Sequence, residues 1–403
     1  MTMKTSPSAR NISQLEQALC TGCRSCELSC PKNAIAMQES AEGFLYPAVN
    51  AACVQCGICL SRCPVLAPPH GDGIPAQRYA VIYREERTLS ASSSGGLFGG
   101  IARHVLGTGG VVFGSAYDDD LNVGVVKIES VDDLHRIQGS KYVASDTGTS
   151  FSLAKEALDM GKTVLYGGSP CQVAGLRSFL GRPYDNLFTM DLICHGVPSG
   201  KLWRKYLCWL GKKHHGKIVY YGFRDKDVAG WSCGGKVKVK VKVKVMRAAC
   251  DPYYSAFLRC ETYRESCYRC PFARRENRVG DITMGDFWGT DFDYPEIPKE
   301  QGVSFCSVNT AQGRRLFDLA KDEFAVFECP EEERLEVNVA YSRPSVRPPV
   351  RDTIYGGIDE ENADRYFAKF RYLRKPEYVI RKIASFVLPE RVKVMLRKYL
   401  RRG

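Results

Sequence analysis

The stretches "CTGCRSCELSCP" (20–31) and "CVQCGICLSRCP" (53–64) are two copies of one pattern, C-x2-C-x2-C-x3-C-P. No other feature of the sequence restricts the fold as strongly. Three thiolates on a tight loop can cover three irons of one 4Fe–4S cubane, while the fourth cysteine of each run reaches across to the other cluster. The spacing therefore predicts one set made of Cys20, Cys23, Cys26 and Cys63, and a second made of Cys53, Cys56, Cys59 and Cys30.

Zinc also takes four cysteines from CxxC pairs. It does not account for the third spaced cysteine, or for Pro31 and Pro64 directly after the fourth. Residues 1–68 are accordingly read as a bacterial-type two-cluster ferredoxin domain. The chain has 18 cysteines in 403 residues, with 44% hydrophobic content, enough for two or three domains and a large core. Residues 1–19 have no apolar run followed by a small-residue cleavage site. No stretch reaches the ~18 consecutive apolar residues that suggest a membrane span. Cysteine usage of this kind fits a cytoplasmic metalloprotein better than a disulfide scaffold.

The net charge of +12 is concentrated at one end. From Arg365 onward there are 13 Lys and Arg against Glu377 and Glu390, so this segment carries 13 − 2 = +11 and the rest only +1. A basic globular surface for nucleic acid is not expected. The tail, taken as 346–403, holds "EYVIRKIASFVL" and "VKVMLRKYLRRG", which read as basic amphipathic helices. Such helices suit an anionic lipid surface at the membrane periphery or a partner protein. A helix packed on its own domain with a solvated basic face fits the pattern equally.

"PVLAPPHGDGIPAQ" (64–77) reads as a linker. Beyond it, residues 78–345 alternate apolar strand-like runs with helical patterns. The runs are 79–83, 110–117, 123–128, 163–168 and 187–194; the helical stretches are 94–108, 149–161, 171–181 and 200–211. Alternation predicts an α/β domain with a largely parallel sheet, α+β when the whole chain is considered. "KVKVKVKVKV" (236–245) reads as one strand, valine on one face and lysine on the other. It suits an edge strand guarded by its lysines, or an anion-binding face. "GKT" at 161–163 lacks the earlier glycine of a P-loop and leads into a strand, and "GTGGVVFG" (107–114) does not satisfy GxGxxG in a strand–turn–helix context. Neither a nucleotide-triphosphate enzyme nor a Rossmann-type dehydrogenase is supported.

A ferredoxin module needs an electron acceptor, and glycine-rich loop ends in the α/β domain are the candidates to hold one: 92–100, 138–142, 167–175 and 191–200. Ser92–Gly96, ahead of a helical run, would present backbone N–H groups and hydroxyls to a phosphate. "ESCYRC" adds an isolated pair, Cys267 and Cys270, which on spacing alone serves a redox dithiol, zinc or an iron–sulfur cluster.

The strings "SSSGGLF", "GSKYV", "GGSPCQVAGL", "DLICHGVPS", "GFRDKDVAGW" and "SCYRCPFA" followed by "DITMGDFWG" resemble, in order, the beta subunits of coenzyme F-420 hydrogenases and dehydrogenases. That family includes flavoprotein reductases of hydroxymethyl-chlorophyll and divinyl-chlorophyllide. The resemblance covers about residues 78–290; Ser169 stands where the family usually has threonine. It implies an FAD site and a third 4Fe–4S cluster, with Cys171, Cys194, Cys267 and Cys270 as its ligands. Cys260 is a competing cysteine, and Cys267, Cys270, Cys194 and His195 would make the rival zinc site. Cys208, Cys233, Cys250, Cys306 and Cys329 read as buried small hydrophobes.

For flavin the candidates are Ser93, Ser94, Gly95, Gly96, Ser140, Lys141 and Tyr142, with Lys141 balancing negative charge. His195 is a candidate proton donor, its ordinary pKa lying near neutrality; satisfying backbone groups is its other role. Asp286, Phe287 and Trp288 wall the flavin or a cluster, or belong to the core. The expected function is an iron–sulfur flavoprotein oxidoreductase, passing electrons between a ferredoxin-type or deazaflavin carrier and a small-molecule acceptor. Its expected partner is a redox protein. The alternatives are an electron-transfer subunit without a substrate site of its own, and a nonredox zinc module.

Overall fold

A computed structural model describes residues 10–69, 75–239, 242–247, 251–276, 278–288, 296–329 and 338–370. Both basic amphipathic stretches, and Cys250, lie outside them.

The ferredoxin domain is built around its own repeat. Strands β1 (Ile35–Glu39) and β2 (Leu45–Val49) pair antiparallel, and each cysteine run ends in a one-turn helix, Ser25–Leu28 and Ile58–Ser61. In the first loop Gly22 and Arg24 have φ of 72° and 65°; in the second, Gln55 and Gly57 have 58° and 78°. The two left-handed positions recur at the same offsets, with glycine at opposite members of the pair. Such a turn curls the loop around its centre, and glycine enters it without strain.

The strands of the second domain are β3 (Gln77–Tyr83), β4 (Val111–Tyr117), β5 (Val123–Ile128), β6 (Val164–Gly168), β7 (Leu187–Leu192), β8 (Ile218–Gly222), β9 (Gly234–Val239), β10 (Lys242–Arg247), β11 (Ile282–Asp286), β12 (Ser304–Val308) and β13 (Phe324–Glu328). Eight form one sheet in the order β13-β3-β12-β11-β7-β6-β4-β5. Only the middle four, β4, β6, β7 and β11, run parallel; every pairing toward the two edges is antiparallel. The largely parallel sheet expected from strand–helix alternation is thus a mixed one. Its parallel centre is buried in the way that helix-covered strands require, with β6 buried along its whole length. Helices Leu97–Gly107, Ser150–Asp159 and Pro170–Leu180 supply the cover.

The lysine–valine run is not one strand. Its ends form β9 and β10, paired antiparallel with Val239 opposite Lys242 and Val237 opposite Lys244. A period-two sequence folded back across two residues sets valine against lysine, so the two strands cannot both turn their valines inward. Val237 and Val239 are buried, whereas Val243 and Val245 are 54% and 62% exposed.

β8–β10 and the helix Gly200–Lys213 close over an aromatic core of Trp203, Tyr206, Tyr221, Phe223, Tyr253 and Tyr254. Residues 346–370, assigned from sequence to the tail, also enter it: Tyr355, Tyr366, Phe367 and Phe370 are buried, and Arg351 is 1% exposed. Among the remaining cysteines Cys306 and Cys329 are buried as expected, but Cys208 is exposed.

The two domains are bolted together. Asp146 accepts from Arg24 Nε at 2.5 Å and Nη2 at 2.8 Å, Arg62 donates to the Ser178 carbonyl at 3.0 Å, and Arg351 holds Glu42. Helix Pro170–Leu180 meets Cys23 at Gly175, where a β-carbon would lie 2.8 Å from Cys23 Cβ and 3.0 Å from its Sγ. Among the described residues no helix is long and apolar enough to cross a membrane.

Candidate functional site: three cysteine sets and a shared cavity

The eight ferredoxin cysteines divide as their spacing predicts. Cys20, Cys23, Cys26 and Cys63 ring one small cavity; Cys30, Cys53, Cys56 and Cys59 ring another. Ile12 packs among Cys26, Cys59 and Cys63, so the core of this domain is largely the cysteines themselves. Burial, with neighbouring cysteines adding to it, pushes the Cys23 thiol up to about 12.

A third set assembles at the carboxyl ends of the parallel strands, the usual ligand crevice of an open α/β sheet. The turn after β6 carries Ser169 and Cys171, and the turn after β7 carries Cys194 and His195. Cys267 and Cys270 arrive on a short helical turn, Glu265–Arg269. Cys194 lies close enough to Cys267, Cys171 and Cys270 for each to raise its thiol pKa after burial itself. Cys267 and Cys270 are pushed to about 12 and about 11 by burial first and by neighbouring cysteines second. Buried thiols that resist ionisation together are a donor set calling for metal cations. Cys260 is not among the cysteines that act on Cys194; its neighbours are Tyr263 and the Tyr268 hydroxyl. No three Cys, His, Asp or Glu among the described residues close on a single point as ligands of one ion would. The ferredoxin sets surround cavities instead.

Two glycines explain the local packing. Gly196, at φ 137°, leaves room for the Tyr263 ring, which a β-carbon would approach to 2.3 Å. Gly95 passes the backbone of Val81 and Ser304, where a β-carbon would come within 2.3 Å.

A cavity of about 600 Å3 joins these parts. Its wall includes Cys23 of the ferredoxin domain, Cys171 and Cys194 of the third set, and Ser93, Ser94, Gly96, Ser140, Lys141 and Tyr142 among the flavin candidates. Gly95 stands behind that wall. Ser93 Oγ accepts from the Ser140 amide and hydroxyl, both at 2.9 Å, tying the two loops together; Ser94 Oγ donates to Val303 O at 2.7 Å. Gly96, at φ 80°, caps helix Leu97–Gly107 without a side-chain cap, leaving free amides at a helix N-terminus on the cavity. Tyr142 is stacked on Phe257 at 4.3 Å and belongs to the aromatic core.

Lys141 Nζ donates to the carbonyls of Gln138 and Gly139 at 2.8 and 3.2 Å, and burial lowers its pKa to about 8. It and His195 retain surface where they line the cavity, yet both are surrounded enough to be desolvated. His195 is lowered by burial, with Asp286 opposing; its ring makes no hydrogen bond among the described residues. Sequence reasoning left three cavity residues unassigned. Arg24 and Arg264 sit in or near cysteine runs that drew attention for their sulfur alone. Arg224, within "GFRDKDVAGW", pairs with Asp286 at 2.5 Å; Asp286 also accepts from Trp231 Nε1 at 3.0 Å, and Trp231 stacks on Trp288 at 4.8 Å.

Comparison with known proteins agrees with these elements. Residues 19–67 match a 4Fe-4S dicluster domain, and residues 161–333 match the family described as the C terminus of the Coenzyme F420 hydrogenase/dehydrogenase beta subunit. The chain is 21% identical over 336 residues to the F subunit of F(420)H(2) dehydrogenase from Methanosarcina mazei, an alignment spanning 78% of this chain and 86% of that one. A chain of the F420-reducing NiFe hydrogenase complex from Methanosarcina barkeri superposes with a TM-score of 0.44 at 15% identity, covering 75% of this chain and 91% of that one. The chain belongs to the family of coenzyme F-420 hydrogenase/dehydrogenase beta subunits and carries an N-terminal 4Fe–4S dicluster domain.

Proposed function

We propose that the protein is an iron–sulfur flavoprotein oxidoreductase with three 4Fe–4S clusters and one FAD, exchanging electrons between a ferredoxin-type or deazaflavin carrier and an acceptor. The observation that carries this reading is the shared cavity, bordered at once by Cys23, by Cys171 and Cys194, and by the Ser93 and Lys141 loops.

The residues present suit the groups invoked. Twelve cysteines in three sets match three clusters with four thiolate ligands each. The cavity volume falls in the range of cofactor clefts. The free amides at Gly96 and the Ser93–Ser140 pair suit a pyrophosphate. Lys141, a buried cation whose donors all go to carbonyls, suits an anionic neighbour. Flavin takes up electrons singly and releases them as a pair, which is what couples cluster chemistry to organic reduction. His195, neutral near pH 7 and with an unspent ring, would hold or give a proton at the cavity wall.

Anaerobic purification followed by iron, sulfide and flavin analysis tests the reading in one sample. About twelve irons and one released FAD per chain are expected. About eight irons with no flavin would refute it. A second reading, an electron-transfer subunit without its own substrate site, draws support from the relative named as a dehydrogenase subunit. Turnover of a deazaflavin by the isolated chain with an artificial dye separates the two.

A further inference from the structure

The cations lining the cavity are Arg24, Lys141, Arg204, Arg224 and Arg264. Arg24, Arg204 and Arg224 each have a carboxylate: Asp146, Glu39 and Asp286. Arg264 has none among the described residues, although it is 4% exposed. Its Nε donates to Cys20 O at 2.6 Å and its Nη2 to Leu45 O at 2.7 Å, both in the ferredoxin domain. Its guanidinium lies 4.1 Å from the Tyr46 ring centroid. A β-carbon on Gly22, between Cys20 and Cys23, would come within 2.9 Å of Nη1.

The same residue is anchored on the other side. Its amide donates to Val197 O at 3.1 Å, and its carbonyl accepts from the Cys267 amide at 2.9 Å. Its charge favours ionisation of Cys171 and of Cys267. An arginine buried without a counter-charge is costly unless an anion completes the site. Dipoles of two carbonyls and one ring face do not supply a full negative charge. The negative charge within reach on both sides is thiolate sulfur.

We propose that Arg264 is a positioning residue, the shared counter-cation of the inner ferredoxin set (Cys20, Cys23, Cys26, Cys63) and the third set (Cys171, Cys194, Cys267, Cys270). It favours the reduced, more negative state of a cluster in either set. The proposal rests on the three-cluster reading above. It makes Arg264 the reason the ferredoxin loop and the Cys267 turn are held together by a cation and not by apolar packing.

The test is an EPR-monitored redox titration of the full chain, purified anaerobically, as wild type, R264M and R264K. With R264M the midpoints of the inner and third clusters should fall, each by about tenfold in the reduced-to-oxidised ratio at fixed potential, which is about 59 mV for one electron. The outer cluster at Cys30, Cys53, Cys56 and Cys59 should stay unchanged. R264K keeps the charge without the fork and should hold both midpoints near wild type. Unchanged midpoints in an R264M chain that retains about twelve irons overturn the proposal. So does an R264K chain whose midpoints fall well below wild type, which remains decisive where R264M loses iron. A wild-type chain with only about eight irons sinks the three-cluster reading itself, a different failure.

Discussion

The third cysteine set depends on a buried ion pair that contains no sulfur. Asp191, in β7 three residues before Cys194, is 0% exposed and accepts from Arg278 Nη2 at 2.9 Å, Thr283 Oγ1 at 2.6 Å and Gly280 N at 3.2 Å. The Arg278 side chain is 2% exposed and also donates to the carbonyls of Leu192 and Phe272. It therefore pins the segment after Cys270 to the strand end that carries Cys194. Arg278→Met removes one charge-assisted hydrogen bond, leaves Asp191 ionised with two neutral donors, and strands two carbonyls. Breaking a buried pair in this way costs about 3–5 kcal/mol. With a urea slope near 3 kcal/mol/M, the unfolding midpoint should drop by about 1–2 M. The assay is urea unfolding of the anaerobic chain by tryptophan fluorescence. Midpoints are compared only between variants, since clusters and several domains break two-state behaviour. Arg278→Met combined with Asp191→Asn removes the stranded charge and should recover part of the loss, a coupling of about 0.5–3 kcal/mol. A drop below about 0.3 M in the single variant, or a double variant as weak as the sum of the singles, would refute the reasoning.

Lys141→Met should lose FAD during gel filtration while leaving the iron content intact; retention of flavin would remove Lys141 from the site. Its protonated form binds an anion, and the folded pKa is about 8, so flavin affinity should weaken as pH rises through 8; equal dissociation constants at pH 7 and 9.5 would contradict this. The same residue's pKa is depressed on folding. Its burial penalty is therefore fully present below 8 and relieved between 8 and the ordinary 10.5, where the unfolded chain binds more protons. Gly175→Ala should displace Cys23 and reduce the EPR signal of the inner cluster while sparing the outer one; two unaltered signals would show that the helix yields at no cost.

The ferredoxin domain was legible because its chemistry is local: eight cysteines at fixed offsets, whose two sets surround the two small cavities. The loops at Ser93 and Ser140 were legible through glycine, since close backbone approach and positive φ leave a residue-type signature at Gly95 and Gly96. The lysine–valine run misled because strict alternation carries no mark of where a strand reverses. Helix and strand alternation foretold the parallel centre of the sheet but not its antiparallel flanks, where β3, β12 and β13 join from distant parts of the chain. The bonds of Arg24, Arg62 and Arg264 across the domains were invisible for the same reason. Each links positions more than a hundred residues apart, and three of the acceptors are backbone carbonyls, which every residue possesses.

Those bonds bear on how the chain uses its two domains. A Pro- and Gly-rich connection from 64 to 77 would by itself permit a tethered ferredoxin that samples many positions. The contacts oppose that. Individually, the exposed pairs such as Arg204–Glu39 contribute little. The buried ones differ, because Arg264 and Arg351 would be left in the core with unspent donors if the ferredoxin domain swung away. Separation would also open one wall of the cavity, where Thr21, Cys23, Phe44 and Leu45 face Ser93 and Ser140. The cysteine sets then fall in a fixed spatial order. The outer set, with Cys56 exposed, does not border the large cavity; the inner set touches it through Cys23; the third set lies on its far wall. Rigid docking is what gives that order a meaning for electron transfer. A tethered arrangement would leave the distance from the inner set to the third set to chance encounter, whereas a docked one fixes it through a single arginine.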